Sequence, residues 1–135
     1  MNVKRYVVAA IVVWVALFIL EYILHGVVLT GYYRDIENTL RPANSMPEFF
    51  VWVLLGQLVL AFGFCYIFVK GYENRGVAEG IRYGLLIGLT FGVSTTLINY
   101  AVHPIPAGMA VALIVGYAVE MGILGVIAAA IYKPA

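Results

Sequence analysis

Residues 6–29 read YVVAAIVVWVALFILEYILHGVVL, an apolar run broken by only one carboxylic acid, Glu21, and one imidazole, His25. A helix needs about 20 mostly apolar residues to cross the roughly 30 Å hydrocarbon core of a bilayer, because each residue adds about 1.5 Å. The run is long enough for one crossing. It therefore predicts a membrane-spanning helix over residues 6–29.

Three more stretches have the same character, at residues 49–69, 81–102 and 107–132. Inside lipid a segment must satisfy its own backbone hydrogen bonds, so each stretch is predicted to be a helix. The expected fold class is all-α, a four-helix transmembrane bundle in one integral membrane domain, residues 1–135. Gln57 precedes Lys70 by the same interval that separates Glu120 from Lys133, which suggests two related helix hairpins.

The composition agrees with this interpretation. Hydrophobic residues make up 64% of the chain and charged residues 11%, against about 45–50% and about 25% in soluble domains. The net charge is only +1, so no basic face is available for nucleic acid. We expect the lipid bilayer as a partner, and no nucleic acid.

The connection at residues 31–47 is the longest. Tyr33, Ile36 and Leu40 recur in it at helical spacing, and Pro42 would stop a helix. This pattern predicts a short interfacial helix on the membrane surface. A plain polar loop fits the segment equally well.

Lysine and arginine are distributed unequally between the two ends of the predicted spans, six against two. One end has Lys4, Arg5, Lys70, Arg75, Arg82 and Lys133, and the other has Arg34 and Arg41. Because basic residues are enriched in cytoplasmic connections, we expect both termini to be cytoplasmic.

A stripe of small residues follows the third span, where glycine recurs at every fourth position. These residues are Gly80, Gly84, Gly88 and Gly92. Such a stripe lets another helix backbone approach closely, and glycine costs about 1 kcal/mol in a helix without such a use. We therefore predict a helix-packing face, which leaves open whether the partner helix belongs to the same chain.

Polar side chains inside the spans form the candidate site. Glu21 and His25 are four residues apart and share one face of the first helix. On the third helix, Asn99 and His103 continue the face of the glycine stripe through Thr95, which predicts that they face the bundle interior. The full candidate set is Glu21, His25, Gln57, Asn99, His103 and Glu120.

Each candidate also has a structural interpretation. A carboxyl group in a low-dielectric interior is favoured in its neutral form, so the glutamates could simply hydrogen-bond across helices. Glu21 and His25 could form an ion pair. His25 and His103 could ligate a haem or a metal. Gln57 and Asn99 suit hydrogen bonds between helices.

The chain resembles a group of small, uncharacterised four-span bacterial inner-membrane proteins classed as domains of unknown function. The resemblance covers the whole length and rests on a set of short motifs. They are His25-Gly26 with Leu29 and Tyr33, Leu40-Arg41-Pro42, Gly56-Gln57, Lys70-Gly71-Tyr72, Gly80-Ile81-Arg82-Tyr83-Gly84, Asn99-Tyr100, Pro104-Ile105-Pro106 and Tyr132-Lys133-Pro134. It implies a multi-pass protein of the bacterial inner membrane and carries no activity.

The chain is also similar in size and span number to small multidrug transporters, whose first helix carries a glutamate that binds a proton or a cation. Glu21 occupies the matching helix. A second intramembrane carboxyl, Glu120, and the histidines depart from that pattern.

Three functions follow from these features. The first is a non-catalytic accessory subunit, packing in a homo-oligomer or a larger membrane complex. The second is a small proton-coupled transporter using Glu21 and Glu120. The third is a redox subunit using His25 and His103. No nucleophile and base stand together in the sequence, so we expect no enzyme activity and no cofactor.

Overall fold

The computed structural model describes residues 1–134, which form helices and connections without a β-strand. The helices are α1 (Val3–Ile23), α2 (Thr30–Asp35), α3 (Met46–Gly71), α4 (Val77–Val102) and α5 (Ala107–Ile131). Four of these are long and apolar enough to cross a membrane, α1 doing so together with a π-helical turn, Leu24–Val28. The predicted all-α four-helix bundle is confirmed, and the chain is a multi-pass membrane protein by length and composition of its helices.

Local chemistry explains where the helices begin and end. α3 starts with Pro47 in its first turn, where the missing N–H and fixed φ are tolerated. α4 follows Gly76, whose φ of 70° lies in the left-handed region. The Glu79 carboxylate accepts hydrogen bonds from two backbone N–H groups of the preceding connection, at 2.7 and 2.8 Å. α4 ends at Val102, since His103 precedes a proline and is extended.

Two antiparallel hairpins make up the bundle. α1 packs along α3, α4 packs along α5, and the hairpins meet where α1 contacts α5. We call the end with the start of α1 and the end of α5 the terminal face, and the opposite end the loop face. α3 and α4 contact each other toward the terminal face, where the Tyr83 hydroxyl donates to the Phe64 carbonyl at 2.7 Å.

The glycine stripe of α4 is occupied by α5 of the same chain. A Cβ atom added at Gly80 would collide with the carbonyl oxygen of Gly125, and one at Gly84 would collide with that of Met121. At Gly88 the added atom would lie 2.7 Å from the Tyr117 carbonyl oxygen. This contact, the glycine seam, answers the question that the sequence left open.

The first connection is only partly helical. α2 ends at Asp35 and a 3-10 turn follows at Glu37–Thr39. Ile36 is buried, in a small cluster with Leu29 and Met109, whereas Leu40 is exposed. The predicted short helix is present, but it does not extend to Leu40 because the backbone turns after Asp35 to bury Ile36.

Candidate functional site

The last turns of the first span bring Glu21 and His25 into contact. Glu21 Oε2 lies 3.0 Å from His25 Nε2, as their spacing of four residues predicts. His25 lies in the π-helical turn, which the backbone hydrogen bond from Leu29 N to the Leu24 carbonyl closes at 2.9 Å. Single π-helical turns are frequent at functional sites. No sequence pattern predicts this turn.

Tyr33 of α2 extends the pair toward the loop face. Its hydroxyl lies 2.5 Å from the other ring nitrogen of His25, Nδ1. Burial raises the pKa of Tyr33, and the negative charge of Glu21 raises it further. The phenol therefore keeps its proton and donates it to Nδ1. The neutral imidazole then has its proton on Nε2, from which it donates to Glu21.

We call Tyr33, His25 and Glu21 the Tyr–His–Glu chain. All three side chains are partly buried, and each bond in the chain points the same way, from the loop face inward. Such a directed series can pass a proton by shifting each hydrogen bond in turn.

Glu120 of α5 completes the site from the other hairpin. Its side chain is 3% exposed, and no donor among the described residues reaches either carboxyl oxygen. Its neighbour is the carboxyl group of Glu21. Two ionised carboxylates are both acceptors, so this contact becomes a hydrogen bond only when one of them holds a proton. We call Glu21 and Glu120 the carboxyl pair.

Tyr117 lies one helical turn before Glu120 and borders the same site. Its ring centroid is 6.2 Å from that of His25. Sequence reasoning missed Tyr33 and Tyr117 as members of the site. The spacing of Tyr117 from Glu120 was a usable signal, because residues three apart share a helix face.

Three other sequence-predicted residues lie outside the cluster. Gln57 is partly buried on α3, and no described residue bonds its amide oxygen. Asn99 and His103 are exposed, so the expectation that they face the bundle interior is wrong. Asn99 instead donates to the Thr95 carbonyl of its own helix at 2.9 Å. The buried face of α4 continues from Gly92 to Thr96, four residues on, and not to Thr95.

The two histidines are not brought together as a ligand pair. Both ring nitrogens of His25 are engaged, by Glu21 and by Tyr33. His103 caps the exposed end of α4. Within residues 1–134, no group of three or more histidine, cysteine, aspartate or glutamate side chains is arranged to hold a metal ion.

A cleft of about 490 Å³ opens between α3 and α4 and reaches Glu21. We call it the α3–α4 cleft. Its walls are apolar side chains of the two helices, and Glu21, Tyr117 and Met121 contribute from the α1 and α5 side. The cleft was not predicted from the sequence, because it depends on how far two helices diverge.

Comparison of the chain with models of known protein families, with curated proteins and with solved structures found no match.

Proposed function

We propose that this multi-pass membrane protein is a small, non-enzymatic, proton-coupled carrier. The observation that supports the proposal is the carboxyl pair, in which partly buried Glu21 from one hairpin lies beside buried Glu120 from the other. An ionisable group at membrane depth is costly and usually marks an ion or proton pathway.

Two adjacent carboxyl groups cannot both be ionised cheaply in a low-dielectric interior, because like charges at short range repel. A single proton shared between the two groups would relieve this repulsion. A solute that favours the fully ionised pair would displace that proton. Exchange of this kind is the elementary step of proton-coupled transport.

The Tyr–His–Glu chain supports the same proposal, because it links the carboxyl pair to the loop face. Histidine is the side chain best suited to accept and release protons near neutral pH. With basic residues concentrated at the terminal face, we infer an inner-membrane protein of bacterial type with both termini cytoplasmic. The Tyr–His–Glu chain would then connect the carboxyl pair with the outer side of the membrane.

The glycine stripe was the main sequence feature in favour of the accessory-subunit hypothesis, and it no longer supports that hypothesis. The glycine stripe that was available to a partner is filled by α5 of the same chain. Self-association or membership in a larger complex stays a prediction that rests on small size alone, and the mass of the protein in mild detergent tests it. The redox hypothesis is disfavoured because Glu21 and Tyr33 occupy both nitrogens of His25.

Proton movement in proteoliposomes tests the proposal. The purified chain is reconstituted with a pH-sensitive dye inside, and a panel of metal cations, organic cations, anions and neutral metabolites is added outside. We expect at least one solute to drive proton movement through the wild type. Glu21→Gln and Glu120→Gln should abolish it, since an amide cannot exchange a proton at this pH.

Glu48→Gln is the matched control, because Glu48 is an exposed carboxylate in the first turn of α3. It should behave as the wild type does. Proton movement that equals that of protein-free liposomes for every solute, or that survives both substitutions in the carboxyl pair, would refute the carrier.

A further inference from the structure

The charges at the terminal face do not cancel one another. Two of the seven acidic residues of the chain lie there, Glu73 in the connection before α4 and Glu79 in the first turn of α4. Glu73 pairs with Arg75 at 2.9 Å, and Glu79 accepts from two backbone N–H groups of the same connection. No carboxylate within residues 1–134 pairs with the other basic residues of this face, which are Lys4, Arg5, Lys70, Arg82 and Lys133.

Two of these cations, Lys4 and Lys70, lie where the start of α1 packs beside the end of α3. The ring of Tyr6 on α1 packs edge-on against the ring of Tyr66 on α3, with 6.2 Å between the centroids. The Lys70 ammonium group lies over the Tyr66 ring, 5.4 Å from its centroid. Lys4 precedes Tyr6 by two residues, in the first turn of α1. We call Lys4, Tyr6, Tyr66 and Lys70 the α1–α3 corner.

The α1–α3 corner offers hydrogen-bond donors to a ligand. Lys4 and Lys70 are exposed, and the side chain of Tyr66 is 45% exposed. The Tyr6 hydroxyl already donates to the Phe62 carbonyl at 3.2 Å. Two ammonium groups and the Tyr66 hydroxyl are therefore the donors that an anion can reach. Phosphate oxygens suit them, because hydrogen bonds between ionised partners are the strongest in proteins.

Apolar surface continues from the α1–α3 corner toward the middle of the membrane. Val8 and Ile11 follow Lys4 by four and seven residues, so all three share one face of α1. These two side chains are 43% and 47% exposed. Since α1 and α3 are both long and apolar enough to cross a membrane, this surface lies against lipid. A partner that matches both regions has an anionic head at the ends of the helices and apolar chains along them.

We propose that the α1–α3 corner binds the headgroup of an anionic phospholipid, with Lys4 and Lys70 at its phosphate and its acyl chains along α1 and α3. Tyrosine rings favour the headgroup level of a membrane, and basic residues at the ends of membrane helices attract anionic lipids. The inference goes beyond the carrier function and does not depend on it. No residue of the corner belongs to the Tyr–His–Glu chain, the carboxyl pair or the α3–α4 cleft.

Native mass spectrometry of the full chain in a mild uncharged detergent tests the inference, because it counts bound lipids directly. The protein is titrated with phosphatidylglycerol and, separately, with phosphatidylcholine of the same acyl chains, whose headgroup has no net charge. We expect phosphatidylglycerol to bind at least fivefold more tightly. Inorganic phosphate, added as a competitor, should displace no more phosphatidylglycerol than chloride does at the same ionic strength.

Lys4→Gln and Lys70→Gln should each weaken phosphatidylglycerol binding about fivefold, the effect of one lysine near an anionic lipid. Arg75→Gln is the matched control. It also removes one positive charge from the terminal face, but from a residue that pairs with Glu73. It should bind phosphatidylglycerol nearly as the wild type does. All three positions are exposed, so the substitutions should leave unfolding by SDS unchanged.

Three outcomes would overturn the inference. Equal binding of the two lipids would show that the headgroup charge is not recognised. Equal weakening by Lys70→Gln and Arg75→Gln would show a response to net charge alone. Displacement by inorganic phosphate beyond the chloride control would show a site for free anions instead of a lipid. None of these measurements involves proton movement, so the carrier function is tested separately.

Discussion

Tyr33 connects the loop face with the carboxyl pair through a single hydroxyl group. It is positioned by α2, which follows the first span after only one π-helical turn. That turn also places Leu29 in the core, where it is fully buried. The position of Tyr33 thus depends on how the chain leaves the first span, which ties the site to the fold of the first connection.

Tyr33→Phe should lower the free energy of unfolding by about 0.5–1.5 kcal/mol, the usual net value of one hydrogen bond. The ring remains, so packing against His25 is kept. Unfolding by SDS titration in mixed micelles measures the change. Tyr32→Phe, one residue earlier, is the control, and equal losses in the two variants would contradict a specific role of the Tyr33 hydroxyl.

The raised pKa of Tyr33 adds a pH signature to the same comparison. Burial, with Glu21, raises this pKa above its ordinary value of 10.0, so the folded state favours the protonated phenol. The stability that this group contributes is complete below pH 10.0 and is lost as the pH rises through the folded-state value. The wild type should therefore lose more stability than Tyr33→Phe between neutral and strongly alkaline pH.

Among the helices, α4 and α5 form the tightest pair. At two positions of the glycine seam, a backbone carbonyl of α5 occupies the space that a Cβ atom would need. Without a hydrophobic driving force between helices in lipid, such close backbone contact is what holds them together. We infer that α4 and α5 move as one body, and that changes in the α3–α4 cleft come from α3.

Gly84→Ala should destabilise the protein by about 1–3 kcal/mol, because the added methyl group overlaps the Met121 carbonyl oxygen. Gly56→Ala is the matched change on α3. There the added methyl meets open space, and alanine favours helix over glycine by up to about 1 kcal/mol. SDS unfolding of both variants gives the comparison, and a Gly84→Ala protein as stable as Gly56→Ala would show that the seam does not hold the pair.

The helix faces were harder to predict from sequence than the helices themselves. Length and apolar composition were enough for the four spans, and a spacing of four was enough for Glu21 with His25. The face of α4 was misjudged beyond Gly92, because Thr95 and Thr96 both fit a helical repeat. The crossing direction of α4 on α5 decides between them.

The periodicity of the sequence also could not predict that Glu120 lies beside Glu21. α5 is apolar nearly all round, and its buried residues include ten positions spread along its length. Hydropathy therefore cannot tell which side of α5 faces α1. Only the packing of complete helices sets this rotation.

Across the whole molecule, basic residues concentrate at the terminal face. We therefore expect Asn44 on the outside and Asn74 on the inside of the cell membrane. In a Cys65→Ala background, cysteine at position 44 should react with an impermeant thiol reagent in intact cells. Cysteine at position 74 should react only after the cells are permeabilised, and the reverse pattern would invert the orientation and direct the Tyr–His–Glu chain to the cytoplasm.

The glycine seam also limits how this gene can change. Every missense change in a glycine codon adds at least a Cβ atom, whichever amino acid results. At Gly80, Gly84 and Gly125 that first atom already collides with a neighbouring backbone, while at Gly56 and Gly63 it meets nothing. Neutral drift should therefore be confined to silent substitutions along the seam, whereas Gly56 and Gly63 of α3 are under no such backbone constraint.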